Sequence, residues 1–251
     1  MLTNHLKSPE KNTALDVSVV IPVFNEAGAV GTVLDAVIQS LKTIKQTCEI
    51  IVVNDWSTDG TAEKVNEYAK QGSVKLINST YQRGKGGALR SGFDQAVGQC
   101  LIMMDGDGSH QAVDLPKLIT EQRRTGGLVI ASRIYGGSQE YTRIRAFGNI
   151  LFTWLFGCIH GRYLSDALNG YKAFENDIYR SFEYSAAGYE IEIELLANTL
   201  RLGRQITEIP SMELVRQAGH AKSKVIKDGF RFLWRIINEK FRVPKRLQRS
   251  V

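Results

Sequence analysis

The sequence predicts a doubly wound, mainly parallel α/β sheet, and three observations lead there. Near-continuous apolar runs recur at 17–23, 49–53, 101–104 and 128–131, as strands buried on both faces require. Segments with apolar residues at helical spacing fall between them. Polar clusters stand directly after three of the runs: Asn25-Glu26, Asn54-Asp55 and Asp105-Gly106-Asp107. Sheets of this class bind ligands beyond the carboxyl ends of their strands, where these clusters fall.

Taken in order, residues 17–23 form the first strand, and 26–41 a helix with Val30, Val33, Leu34, Val37, Ile38 and Leu41 on one side. The second strand, 49–53, runs into Ser57-Thr58-Asp59-Gly60-Thr61, which supplies capping groups for a helix through about residue 68. A short strand at 74–77 and a helix at 86–97 precede the strand 101–104. A helix near 113–124 and the strand 128–131 complete the regular part. Past Ser132 the alternation fades: an Arg143–Arg145 loop, an apolar stretch at 147–159, a loop at 165–170 and a helix at 190–202 come next. Residues 225–241 carry Ile226, Phe230, Leu233, Trp234, Ile237 and Phe241 at helical spacing, with cations on the flanks. The expected organisation is a leader over 1–15, one domain over 16–224, and a basic amphipathic helix and tail over 225–251.

The net charge of +6 is unevenly spread. Residues 222–251 hold ten Lys/Arg against Asp228 and Glu239, a surplus larger than the whole net charge, so the rest is slightly acidic. A basic tail on such a body points to an anionic partner. The stretch 1–15 is too polar for a signal peptide, and no apolar run reaches the ~18–20 residues that cross a bilayer. Cys48, Cys100 and Cys158 lack ligand or redox spacing, and Cys48 and Cys100, beside apolar runs, read as reduced core thiols of a reducing compartment.

Asp105-Gly106-Asp107 is the most informative element. Two carboxylates two residues apart at a strand end can share a hard divalent cation with a diphosphate, with Ser109 and His110 close behind. Phe24 can stack beside a base, Glu26 can bind ribose hydroxyls, and Asp55 can accept from a base N–H. Taken singly, Glu26 also suits a helix first turn and Asp55 a turn. Arg83-Gly84-Lys85-Gly86-Gly87 opens a helix, where backbone N–H groups favour phosphate. It lacks the Lys-Ser/Thr ending of an ATPase loop, and no G-x-G-x-x-G comes after the first strand.

Together, Pro22-Val23-Phe24-Asn25-Glu26, the run from Asn54 to Thr61, Gly84-Lys85-Gly86-Gly87, the run from Asp105 to His110, and Ser132-Arg133 resemble the successive motifs of family 2 glycosyltransferases. The resemblance spans roughly 17–224. Arg143, Arg145, Gly170-Tyr171-Lys172, Arg216 and Lys222-Ser223-Lys224 are similar to the polyprenyl-phosphate branch typified by dolichol-phosphate mannosyltransferase. It implies a GT-A fold. It also implies a nucleoside site of Pro22, Phe24, Glu26, Val53 and Asp55, with Lys85, Gly106, Arg216 and Lys222 toward the donor diphosphate. Asp105 and Asp107, with Ser109 in the third metal-facing position, would bind Mg²⁺ or Mn²⁺. Arg133 would face the reaction centre and Arg143 or Arg145 would hold an acceptor phosphate.

The expected activity is inverting transfer from a UDP- or GDP-sugar to a polyprenyl phosphate or another membrane-associated acceptor. The chain would sit on the cytoplasmic side, peripherally bound to an anionic membrane surface; a homo-oligomer stays open. A hydroxyl acceptor would instead need a carboxylate base, for which Glu190 and Glu192 are the candidates. Nucleic-acid binding through the tail fits poorly, because Phe230, Phe232, Trp234 and Phe241 form an apolar stripe there. A nucleotidyltransferase would carry a glycine-rich loop after the first strand, where this chain has Phe24-Asn25-Glu26.

Overall fold

A computed structural model describes residues 15–140, 142–217, 225–243 and 245. Seven strands form one sheet: β1 (Val17–Val23), β2 (Cys48–Asn54), β3 (Lys75–Asn78), β4 (Cys100–Met103), β5 (Leu128–Ser132), β6 (Lys172–Glu175) and β7 (Ile206–Pro210). Their spatial order is β3-β2-β1-β4-β6-β5-β7. All neighbours run parallel except β6, which is antiparallel to both β4 and β5. Val17, Val19, Val20 and Ile21 are fully enclosed, which explains the unbroken apolar run of β1: both of its faces are covered.

One face packs on α1 (Val30–Lys42) and α4 (Leu115–Thr125), and the other on α3 (Lys85–Gln95) and α8 (Ile191–Arg201). The helix α2 (Thr61–Lys70) begins where the Asp59 carboxylate accepts from the Thr61 N–H at 3.0 Å, as the capping run predicts. Sequence and structure diverge past Ser132. The short strands β6 and β7 carry no periodic signal, and between two short helices, α5 (Arg133–Gly136) and α7 (Asn176–Arg180), residues 143–160 form a helix, α6 (Arg143–His160), in place of the expected loop and apolar stretch.

The C-terminal helix α9 (Val225–Phe241) lies against α6 and α8. It is pinned by a buried ion network. Glu239 meets Arg201 at 2.7 Å and Arg235 at 2.9 Å, and Arg242 reaches both Glu239 and Glu194. Outside this anchor, α6 exposes Phe147, Ile150, Leu151 and Trp154, and α9 exposes Phe230, Trp234, Ile237 and Phe241. Among the described residues, no helix is long and apolar enough to cross a membrane.

Candidate active site

The carboxyl ends of β1, β2 and β4 open into a hollow lined by Pro22, Phe24, Glu26, Asp55, Gly106 and Asp107, among others. Its rim is built by two turns that place non-glycine residues in the left-handed region, Asn25 (φ 52°) and Trp56 (φ 63°). Asn25 tolerates this through local hydrogen bonding: its Oδ1 accepts from Thr58 N at 2.8 Å, and its N–H donates to Ser57 Oγ at 3.1 Å. Asp55 accepts from the Gly84 N–H at 2.9 Å, which ties the second strand end to the start of α3. The Arg83 guanidinium lies 4.3 Å over the Phe24 ring, a cation–π contact. Val53 requires correction as a lining residue. Its side chain is fully enclosed in the core beneath α3, where a Cβ at Gly92 would strike it.

At the end of β4, the carboxylates of Asp105 and Asp107 each hold a cation. Asp105 Oδ1 lies 2.7 Å from Lys85 Nζ, and Asp107 Oδ2 lies 3.1 Å from Arg216 Nη1. Burial opposes ionisation of Asp105, but Lys85, and with it His110 and Arg216, holds the carboxyl well below the usual carboxylate range. Burial likewise opposes the Lys85 charge, yet Asp105 and Glu192 carry that amine above its ordinary value. Ser109 donates to Asp107 Oδ1 through both N–H (3.0 Å) and Oγ (2.7 Å). His110 Nδ1 accepts from the Asp105 N–H at 3.1 Å, which leaves the proton of its neutral form on Nε2. Burial lowers its pKa, and its ring stacks on Tyr171. His110 therefore fixes the loop that carries both carboxylates.

The hollow continues past Lys85, Asp105, Tyr189 and Arg216 into a second cavity between the sheet, α6 and α9. Arg133 and Arg145 line it, whereas Arg143 is exposed and lies outside its lining. Sequence reasoning missed what aims Arg133. Its Nε and Nη2 each lie 2.7 Å from the fully buried Asp166, which also accepts from Asn149. Arg133 Nη1 reaches Glu213 at 3.2 Å. Lys172, buried on β6, donates to the carbonyls of Ala167 and Asn169 and so holds the loop carrying Asp166 and Gly170. Burial pushes its amine down to about 8.

Of the two glutamates expected as bases, only Glu192 lines this cavity, its Oε1 3.0 Å from Lys85 Nζ. Glu190 does not line it. Its Oε1 accepts from the N–H groups of Ala187 and Gly188 at the start of α8 instead. Lys222 lies outside the described residues.

The donor set suits a hard divalent cation. Asp105 and Asp107 offer oxygen ligands that already face positive charge. Among the described residues no three His, Cys, Asp or Glu side chains converge on one point, so such an ion would take further ligands from outside that set, with Ser109 Oγ, diphosphate oxygens and water as the candidates.

Comparison with known proteins bears on this geometry. Residues 18–179 match the description Glycosyl transferase family 2. An undecaprenyl-phosphate mannosyltransferase of Micrococcus luteus is 31% identical over 219 residues, 81% of this chain and 85% of the relative. A dolichol-phosphate mannosyltransferase of Pyrococcus furiosus is 28% identical over 89% of this chain but only 64% of its own length. A dolichyl-phosphate beta-glucosyltransferase of Drosophila melanogaster is 29% identical over 78% of this chain and 66% of the relative. Glucosyl-3-phosphoglycerate synthase of Mycobacterium tuberculosis, solved with Mn²⁺, UDP-glucose and phosphoglyceric acid, superposes with a TM-score of 0.68 at 21% identity. That superposition covers 90% of this chain and 80% of the synthase, and it identifies the fold as GT-A.

Proposed function

This chain belongs to glycosyl transferase family 2, and we propose that it moves a sugar from a UDP- or GDP-sugar onto the phosphate of a polyprenyl phosphate at a membrane surface. The observation that carries the acceptor class is Arg145. It lines the cavity with no carboxylate partner among the described residues, and the same lining includes the apolar Ile144, Phe152, Leu168 and Phe232. A guanidinium in a cavity with apolar lining suits a lipid phosphate. The relatives named for polyprenyl-phosphate acceptors support the same reading.

In this reading the nucleoside rests at Phe24, Glu26 and Asp55, and its diphosphate lies against Asp105-Gly106-Asp107. A Mg²⁺ or Mn²⁺ ion held by Asp105 and Asp107 would neutralise charge on the leaving diphosphate. Arg216, and Lys85 from the start of α3, would turn from the carboxylates toward the phosphates. The acceptor phosphate, held by Arg145 and faced by Arg133, attacks the anomeric carbon with one of its oxygens. The bond from that carbon to the diphosphate breaks, and its electron pair leaves with the nucleoside diphosphate. One displacement inverts the anomeric centre. A phosphate with its second pKa at about 6 is already anionic, so no base is needed. Catalysis then rests on alignment and charge stabilisation.

The exposed aromatic faces of α6 and α9 would lie in the headgroup region, where apolar burial and anionic lipid both favour binding. In that arrangement the chain sits peripherally on the cytoplasmic leaflet. The direct test offers UDP-glucose, UDP-galactose, UDP-N-acetylglucosamine and GDP-mannose to the purified chain with a short polyprenyl phosphate and Mn²⁺ or Mg²⁺. One donor should give a lipid-phosphate sugar that disappears on chelation. No product from any donor, or full turnover in chelator, contradicts the reading.

A further inference from the structure

We propose that Glu192 reads the transferred sugar, its carboxylate accepting a hydrogen bond from a hexose hydroxyl. The inference rests on the transfer reading above. Glu192 Oε1 is 3.0 Å from Lys85 Nζ, while Oε2 is buried and has no hydrogen-bond partner in the protein. The side chain is only 2% exposed, so bulk water does not satisfy that oxygen. A buried carboxylate oxygen without a partner is costly unless a ligand supplies a donor.

Its neighbour in the same run shows the contrast. Glu194, two residues on, is satisfied at both oxygens, by the N–H groups of Ser185 and Ala186 and by Arg242. Glu194 is a structural anchor; Glu192 lines the cavity with one carboxylate oxygen unpartnered.

Position supports the role. Lys85 bridges Glu192 to Asp105, so Glu192 stands one side chain away from the carboxylate beside the diphosphate. A sugar attached to that diphosphate must extend into the cavity that Glu192 lines. Gly170 leaves this corner open. A Cβ there would strike Lys85 Nζ and come within 3.0 Å of Asp105 Oδ2 and 3.3 Å of Glu192 Oε1. Sites that hydrogen-bond a substrate hydroxyl discriminate strongly against analogues lacking it, because the protein group is then left unpaired. Glu192 is thus a specificity residue rather than a base.

The experiment measures binding by calorimetry in Mn²⁺, without acceptor, for the most tightly bound UDP- or GDP-hexose, its deoxy analogues and the parent nucleoside diphosphate. Glu192→Gln should weaken the nucleotide sugar by about tenfold or more, as expected for a charged hydrogen bond, and leave the nucleoside diphosphate within about twofold. One deoxy analogue should bind the wild-type protein about tenfold more weakly than the parent sugar and be insensitive to Glu192→Gln. If the variant weakens nucleotide and nucleotide sugar alike, changes neither, or acts equally on every deoxy analogue, the proposal is overturned. If the variant does not fold, wild-type binding of the deoxy series decides: equal affinity throughout overturns it. An error in the acceptor class leaves these binding results untouched, whereas failure to bind any UDP- or GDP-sugar overturns both readings.

Discussion

Arg216 Nη1 lies 3.1 Å from Asp107 Oδ2, while its Nε and backbone N–H each donate to Glu140 at 2.9 Å. A segment from the far end of the chain is thereby clasped over the carboxylate loop. Leu214 N–H to Ser109 O and Gln217 N–H to Asp107 O reinforce the clasp at 2.9 and 3.0 Å. Together with Lys85 on Asp105, both carboxylates are already neutralised before any ligand arrives.

Metal and nucleotide should therefore bind together. A cation alone must displace Arg216 and Lys85, whereas a diphosphate gives both basic groups a new partner. Mn²⁺ followed by paramagnetic resonance should bind the free protein weakly, with UDP or GDP raising the affinity by about 10- to 100-fold. Asp107→Asn should remove the enhancement. Equal Mn²⁺ affinity with and without nucleotide would contradict this coupling.

The two arginines of α6 should separate. Arg145→Ala should raise the acceptor KM by about tenfold or more, the scale of a lost charged hydrogen bond, and leave the donor KM nearly unchanged. Arg143→Ala, on the exposed side, should have a much smaller effect. Steady-state kinetics with each substrate varied in turn check this.

Asp166 and Arg133 should be linked through pH. Burial opposes the Asp166 charge, but Arg133 holds its carboxyl below the ordinary value. A carboxylate depressed on folding contributes stability above its unfolded pKa of about 4 and loses it as pH falls through the folded value. Arg133→Ala leaves a buried, uncompensated charge and should cost about 3 kcal/mol at pH 7. The gap between variant and wild type should narrow below about pH 4, where Asp166 can protonate. Urea unfolding at both pH values measures it.

Membrane docking should be separable from folding. Removing α9 and the residues after it would strip Arg235, Glu239 and Arg242 from the buried Glu194 and the half-buried Arg201, so truncation confounds the two. Trp154 and Trp234 are both more than half exposed, so Trp154→Ser with Trp234→Ser keeps every ion pair of that network and gives up only the cation–π contact of Trp234 with Arg235. The pair should leave the melting temperature within about 4 °C, the shift of roughly 1 kcal/mol for a domain of this size, and sharply reduce sedimentation with anionic liposomes. Unchanged sedimentation would count against the two helices as the docking face.

The strand ends that open into the hollow were legible because buried parallel strands write unbroken apolar runs, and the residues just past each run stand at the edge where sheets of this class bind ligands. That logic placed Phe24, Glu26, Asp55, Asp105 and Asp107 around one hollow. Val53 was expected there from the family resemblance alone, and its side chain faces the core, because residues of a strand alternate faces regardless of nearness to the site. Strands β6 and β7 are only 4 and 5 residues long and carry Lys172, Glu175 and Glu208, so no periodic signal marked them. The partners that aim the site were not legible at all. Asp166 with Arg133 and Glu192 with Lys85 are pairs 33 and 107 residues apart, brought together only by the folded sheet. The run of three glutamates, Glu190, Glu192 and Glu194, illustrates the limit: one caps a loop, one faces the cavity and one anchors α9.

The central claim is that an anionic phosphate on a lipid, and not a hydroxyl, attacks the sugar. The measurement that tests it most directly is a competition in which the purified chain, its donor and Mn²⁺ meet equal amounts of a polyprenyl phosphate and the corresponding polyprenol. Mass spectrometry of the lipid products then reports where the sugar went. The account predicts glycosyl phosphate as the product, its yield falling in Arg145→Ala when the polyprenyl phosphate is limiting, and the polyprenol recovered unmodified. Transfer to the polyprenol at a comparable rate, surviving Arg145→Ala but lost in Glu192→Gln, would contradict it.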